Sequence, residues 1–264
     1  MSKNTEVMSV PSADLLAKLR ENTPVEAGYT RIQLPRLGFY SQDQTDGKGK
    51  QMVVTAEAGM FYTDIKVGED YVKTEIGKEI ELTVVYHRKK LSYYDQASEK
   101  YTSSSLYDND EDVISLFLDG KKIASGLPQE LRSHPTYQKM GEDGKVKSKL
   151  EENKVLYVLY NGVPHEITIR GSSMWSFSSY AKSLLVTSVL THVTSTAEQK
   201  GTIEWNKMAF TKVRDLNAEE VMAVIDMQEE IKDSIAHEKA EYAKRTIELP
   251  TPVDIITPGG LSNF

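Results

Sequence analysis

One run of strand-forming residues constrains this chain more than any other, Leu82-Thr-Val-Val-Tyr-His-Arg-Lys-Lys-Leu-Ser-Tyr-Tyr94, which turns basic without losing its β character. Its β-branched and aromatic residues fit a pleated surface, and with the residues before it a strand is predicted from about Glu79 to Tyr94. Alternation puts Tyr86, Arg88 and Lys90 on one face and His87 and Lys89 on the other. Tyr93 and Tyr94 fall at the strand end, where loops frame a groove. Three consecutive cations make poor core, because ionised side chains are rarely buried without partners. Two readings fit the run. Cations that hold phosphates beside rings that stack bases are the ingredients of single-stranded nucleic-acid binding, and a solvated edge strand guarded by lysines uses the same residue types.

The chain around this strand reads as mostly β. Residues 1–26 form a polar arm holding a short helix over residues 13–20, with Ser12 as N-cap. Alternation begins after Gly28, residues 41–51 are a polar loop, and strands follow at Met52–Ala56 and Met60–Val67. Residues 95–112 read as a loop. Val113–Leu118 turns through Asp119-Gly120 into a returning strand at Lys121–Ala124, and an irregular insertion runs from Ser125 to about Asn153. Val155–Tyr160 is apolar on both faces, as a central strand is. Asn161-Gly162 turns it into a strand over Pro164–Arg170. Gly171-Ser-Ser caps a helix from Met174 to Leu185, and strands Val186–Thr196 and Thr202–Val213 close the β region. Three strands, a helix and two strands is the order of an OB barrel. The fold predicted is mainly β: an OB-like five-stranded barrel with insertions, one inter-strand helix and a long C-terminal helix. Its domains are the arm 1–26, the barrel 27–214, an acidic helix 215–245 and a flexible tail 246–264. Asn217 and Glu220 form a capping box for that helix, whose apolar stripe is Val221, Val224, Ile225, Met227, Ile231 and Ile235.

Charge separates these parts. The net charge is −7, yet residues 215–264 hold 11 acidic against 4 basic residues, which leaves 28 of each sign in residues 1–214. A neutral body can present a local basic face while an acidic extension competes for it or recruits partners. No apolar run approaches the roughly 20 residues of a membrane span, and the first residues lack a signal-peptide core. There is no cysteine, so disulfides, zinc-thiolate sites and cysteine nucleophiles are excluded. A cytoplasmic protein without membrane contact is expected.

No catalytic motif emerges. Gly47-Lys-Gly-Lys50 lacks P-loop spacing, the histidines at 87, 134, 165, 192 and 237 fall at no metal-ligand spacing, and the serines around Trp175 form no nucleophile elbow. Asp108, Asp110 and Asp112 alternate like an EF-hand start, but Val113 occupies the position of the turn glycine, so an acidic solvated loop is the reading. Trp175 and Trp205 are expected in the core, and most of the 14 tyrosines, Tyr62 and Tyr157 among them, are expected to be structural. Arg170, just before the helix, is placed to reach a phosphate or a carboxylate. No metal, cofactor or enzymatic activity is expected.

The succession Arg31-Ile-Gln-Leu-Pro-Arg36, Val84-Val-Tyr-His-Arg88, Val155-Leu-Tyr-Val-Leu159, Arg170-Gly-Ser-Ser-Met-Trp175 and Ser178-Ser-Tyr-Ala-Lys-Ser-Leu184 resembles a family of small replication-associated bacteriophage proteins, regarded as single-stranded DNA-binding with an OB-type core. The likeness covers about residues 30–215. It implies a non-enzymatic partner of single-stranded DNA in replication or recombination, binding through Tyr86, Arg88, Lys89, Lys90, Tyr93, Tyr94 and Arg170. The proline-rich end resembles partner-recruiting tails in layout, with Leu261 and Phe264 as the apolar contacts for replication or recombination proteins. Self-association stays open. The competing reading is a virion structural or assembly protein, working through protein contacts.

Overall fold

The computed structural model describes residues 34–46, 53–67, 70–141 and 143–247. The predicted helix at 13–20, the residues before 34 and the tail with Leu261 and Phe264 lie outside them. The chain divides into two compact units, Gln33–Ile231 and a second of Met1–Ile32 with Lys232–Phe264. The site lies in the first.

That unit is mainly β, as predicted, and its strands follow the residue types that favour them. In chain order they are β1 (Arg36–Phe39), β2 (Gln44–Asp46), β3 (Val53–Ala56), β4 (Phe61–Val67), β5 (Asp70–Gly77), β6 (Glu79–Asp95), β7 (Lys100–Ser104), β8 (Ile114–Leu118) and β9 (Lys121–Gly126). Then come β10 (Gln138–Met140), β11 (Val146–Ser148), β12 (Glu151–Tyr160), β13 (Val163–Ile169), β14 (Val189–Lys200) and β15 (Ile203–Asp215). Helix α1 (Pro128–Ser133) sits in the insertion, α2 (Gly171–Ser183) follows β13, and α3 (Ala218–Ile247) ends the described chain. Eleven strands form one mixed sheet in the order β5-β4-β1-β13-β12-β6-β7-β8-β9, with β14 joining β6 and β15 joining β14. The sheet has more strands than the five predicted. The segments read as a loop at 95–112 and as an irregular insertion at 125–153 supply β7, β10, β11 and α1.

The 17-residue β6 is the hub. Along one edge it pairs with β12, while the other edge takes β14 over residues 79–83 and β7 over residues 92–95. It is therefore an interior strand, which removes the edge-strand reading of its lysines. Opposite β12 the register passes from Tyr86↔Tyr157 to Val84↔Val158, so Val85 is an extra residue. Such a bulge inverts the side-chain alternation beyond it. Before it Ile80, Leu82 and Val84 point into the core; after it Leu91 does, while Tyr86, Arg88 and Lys90 are turned outward. Counting by twos from Leu82 without the bulge would have sent that tyrosine and both cations inside.

The main core lies on the inner face, where Leu37, Phe61, Leu82, Val84, Leu156, Val158, Ile167 and Ile169 meet Phe177 and Tyr180 of α2. Phe177 and Tyr180 both contact the Phe210 ring, at 5.3 and 6.2 Å. The Ser173 hydroxyl accepts a hydrogen bond from the Met208 backbone N–H at 2.9 Å, which docks the first turn of α2 on β15. Helix α2 begins at Gly171, three residues earlier than predicted. Trp175 is not a core anchor: it is 71% exposed, because Ser173, Phe177 and Tyr180 form the inward stripe and Trp175 falls between them. Trp205 is half-buried, its indole N–H shared between Ser172 Oγ at 3.1 Å and Glu198 Oε2 at 3.0 Å. A second core of Leu91, Tyr107, Ile114, Leu116, Leu131 and Leu150 lies under the insertion.

Strand pairing alone leaves the sheet open among the described residues, but hydrogen bonds link its separate parts. Asn206 N–H of β15 donates to Ser41 O at 2.7 Å, and Gln42 Nε2 donates to Glu204 O at 3.2 Å. The segment after β1 is thereby tied to β15.

The capping box predicted for α3 is present. Glu220 N–H donates to Asn217 Oδ1, Asn217 N–H donates to Glu220 Oε2, each at 2.9 Å, and both Arg214 terminal nitrogens donate to the Glu220 carboxylate at 2.7 Å. The Arg214 guanidinium, and then the Asn217 N–H, hold the Glu220 pKa down to about 2 against an ordinary 4.5. A depressed carboxyl contributes stability that is complete above its unfolded pKa and lost as pH falls through the folded one. The start of α3 is therefore expected to stay capped at pH 4.5 and to loosen towards pH 2. An NMR titration of the Glu220 carboxyl checks this, and a midpoint near 4.5 would contradict it. In the larger unit the α3 residues Val224, Met227 and Ile231 are buried. Between them Gln228 Nε2 donates to the Val85 carbonyl at 2.9 Å, which fastens the helix to the bulge. No helix among the described residues is long and apolar enough to cross a membrane.

Candidate nucleic-acid interface

The register defines what the outer face carries. One row runs across six strands: Lys73 of β5, Asp64 of β4, Arg36 of β1, Glu166 of β13, Tyr157 of β12 and Tyr86 of β6. Facing pairs share a side of the sheet, so tyrosines and charges stand opposite the apolar core. Much of this charge is compensated within the row; Arg36, for example, lies 4.0 Å from Asp64. Tyrosines and cations of this face gather in two clusters.

In the first, the rings of Tyr40 and Tyr62 stack at 4.4 Å between centroids, 25° from parallel, and Lys73 Nζ sits 5.1 Å from the Tyr62 centroid and 5.9 Å from that of Tyr40. A glycine makes the arrangement fit. Gly38 faces Tyr62 across the strand pair, and a Cβ there would lie 2.0 Å from Tyr62 Cζ. Gly38→Val is expected to push the ring off its seat and cost about 1–3 kcal/mol of stability. A melting curve checks this; an unchanged midpoint would show that the ring can shift freely.

In the second cluster Tyr101 of β7 is the centre. Lys90 Nζ lies 6.0 Å from its ring centroid, Arg170 Nη2 donates to its hydroxyl at 3.4 Å, and Tyr94, 54% exposed, is its cross-strand partner. Arg170 also connects the clusters electrostatically. Burial raises the Tyr62 pKa first, Tyr40 and Asp64 add to that, and Arg36 and Arg170 act in the opposite direction.

Of the residues predicted from sequence, the structure brings together Lys90, Tyr94 and Arg170. Tyr86 shares their face, but its hydroxyl donates to Asp108 Oδ1 at 3.4 Å. Its pKa is raised by burial and then by the Asp108 charge. Arg88 cannot serve as a phosphate contact. It is 2% exposed, with Nη2 donating to Leu106 O at 3.0 Å and Nε 3.3 Å from Asp108 Oδ1. Its charge is spent on anchoring the 105–112 loop. Lys89 points to the inner face and pairs with Asp110 at 2.8 Å. Tyr93 also points inward, packing on the second core with Lys149 Nζ 5.8 Å from its ring centroid. The aspartates expected in an acidic solvated loop are these same partners: Asp108 faces Arg88, Asp110 faces Lys89, and Asp112 Oδ2 accepts the backbone N–H groups of Asp108 and Asn109. No group of three or more potential metal ligands occurs among the described residues.

Sequence reasoning missed Tyr40, Tyr62, Lys73 and Tyr101 as surface groups. Gly38 was the available signal for two of them, because a glycine inside a strand marks a place where a neighbour takes the room of a side chain. Comparison with known proteins finds no matching family model, no matching curated protein and no matching solved structure.

Proposed function

We propose that the protein binds single-stranded DNA with little sequence preference, through the outer face of an OB-like barrel, in bacteriophage replication or recombination. The observation that carries this reading is the second cluster, where Lys90 of β6 and Arg170, just past the end of β13, converge on one tyrosine. Cations neutralise phosphates and rings stack bases regardless of base identity.

The connectivity supports an OB-like core. β6, β12 and β13 form a meander, α2 follows, and β14 returns to the free edge of β6 with β15 beside it. β1 and the Ser41–Asn206 hydrogen bond span from β13 towards β15, where an OB barrel would close. In that fold the second and third strands and the loops after the first and fourth form the binding face. Here these are β12, β13, the long 96–150 connection and the turn after Lys200; Arg170 and Tyr101 lie where the first three meet. A titration of fluorescently labelled oligo-dT at two salt concentrations tests the proposal. Binding at low salt that weakens steeply as salt rises is expected; no binding at low salt would refute it. That second result would favour the rival reading of a virion assembly protein acting through protein contacts, for which the exposed Trp175, Met222 and Ile225 offer apolar surface.

A further inference from the structure

The inner face holds a basic cluster that the outer-face reading does not use. Lys154 of β12 stands directly opposite Lys89 of β6, and His87 comes two residues before Lys89 on the same side. Like charges facing across a strand pair destabilise it, so each such pair calls for a compensating anion. Lys89 has one, Asp110 at 2.8 Å. For Lys154 no ion pair within 4.0 Å is formed among the described residues. Its Nζ instead lies 5.8 Å from the Phe177 centroid, and the His87 ring is 6.0 Å from the same centroid. The acidic groups nearby support these cations only from a distance: Glu152, whose Oε2 accepts from the Tyr107 hydroxyl at 3.2 Å, favours the charge of both lysines, and Asp108, drawn to Arg88, favours that of His87. Lys154 is half-buried, while His87 and Lys89 keep solvent-facing surface. The cluster is thus open on one side, with the Lys154 ammonium over the Phe177 ring and the His87 ring tilted 71° to it.

We infer that Lys154, Lys89 and His87 form a phosphate-binding site, distinct from the outer face, that takes a phosphate group with three or more free oxygens. Three nitrogen donors on one side of two paired strands suit the several acceptor oxygens of such a group. Electrostatics point the same way. Loss of hydration, then the Lys154 ammonium, lower the His87 pKa, and loss of hydration lowers that of Lys154. Lys154 and His87 are therefore held at a cost that an anion would relieve, whereas at Lys89 the loss of hydration is outweighed by Asp110 and Glu152 and the pKa is raised. The group is either free phosphate or the 5′-phosphate of a strand, since an internal phosphodiester has fewer free oxygens.

The test uses the full chain and Lys154→Met, which keeps the apolar stem against Phe177 and removes the charge. The melting temperature and the His87 ring signals are followed in inorganic phosphate, with sodium chloride at matched ionic strength as control. Phosphate is expected to raise the wild-type melting temperature and to raise the His87 pKa, both saturably. Lys154→Met is expected to melt above the wild type without phosphate and to lose both responses. A second arm compares 5′-phosphorylated with 5′-hydroxyl oligo-dT. Tighter binding of the phosphorylated strand, seen only in the wild type, makes a strand end the ligand; equal binding beside an intact phosphate response makes it free phosphate. The inference is overturned if phosphate acts no differently from chloride, or if Lys154→Met retains the full response. A variant that melts lower than the wild type would show the lysine to be structural. Since Lys90 and Arg170 lie on the other face, loss of this site and loss of oligo-dT binding there are separate outcomes.

Discussion

Replacing Arg88 by alanine is expected to lower the unfolding free energy by about 3–5 kcal/mol, the usual cost of leaving one partner of a buried ion pair alone. Arg88 is almost wholly buried and holds both Asp108 and the Leu106 carbonyl. Its removal also unfastens the 105–112 loop, from which Tyr107 reaches the second core. Chemical denaturation measures the loss directly. For DNA binding the expectation is different: a folded Arg88→Ala sample, held well below its melting point, should retain most of its oligo-dT affinity. An unchanged stability with abolished binding would reverse the assignment and make Arg88 a phosphate contact after all.

The second large effect is on binding. Tyr101→Leu is expected to weaken oligo-dT affinity by about 1–3 kcal/mol, roughly five- to 150-fold, because a stacked base loses its aromatic partner. Lys90→Ala combined with Arg170→Ala should act through charge. Each phosphate contact removed from a single strand reduces the slope of log affinity against log salt by about 0.7, so the double variant should be shallower by about 1.4. Both sets belong to the second cluster, on the face away from the inner core, so melting temperatures should move little. Weaker binding with an unchanged salt slope would mean that these two cations do not meet phosphates.

The parts of the fold that could be read from the sequence are those in which local chemistry and tertiary context agree. Asn161-Gly162 turns β12 into β13, with Asn161 and Gly162 both at positive φ, as a type I′ turn requires. Asn217 and Glu220 mark the start of α3. The strand at 79–95 was legible because its residue types persist through the basic stretch. Which way its side chains point was legible only in part. Tyr86, Arg88 and Lys90 share a face as alternation predicts, but only the bulge at Val85 makes that face the outer one, and nothing in Val84-Val85 announces a bulge. The burial of Arg88 was equally hidden, because its partner Asp108 sits 20 positions later in a stretch that reads as solvated loop. β5 was missed since Lys73, Thr74 and Glu75 dilute its apolar residues, as is ordinary for a strand at the end of a sheet. Trp175 misled for the opposite reason: its size argues for the core, while the helix stripe set by Ser173, Phe177 and Tyr180 leaves it outside.

The outer face is where tyrosine and cation spacing across strands matters more than spacing along the chain. Tyr40, Tyr62, Arg170, Tyr101 and Lys90 come from five separate segments, so no linear motif unites them. The most direct test of this face is photochemical cross-linking of the full-length protein to bromodeoxyuridine-substituted oligo-dT, followed by identification of the modified residues. Adducts on Tyr62, Tyr94 or Tyr101 are the expected result; adducts confined to residues off this face, or none under conditions of saturating binding, would contradict it.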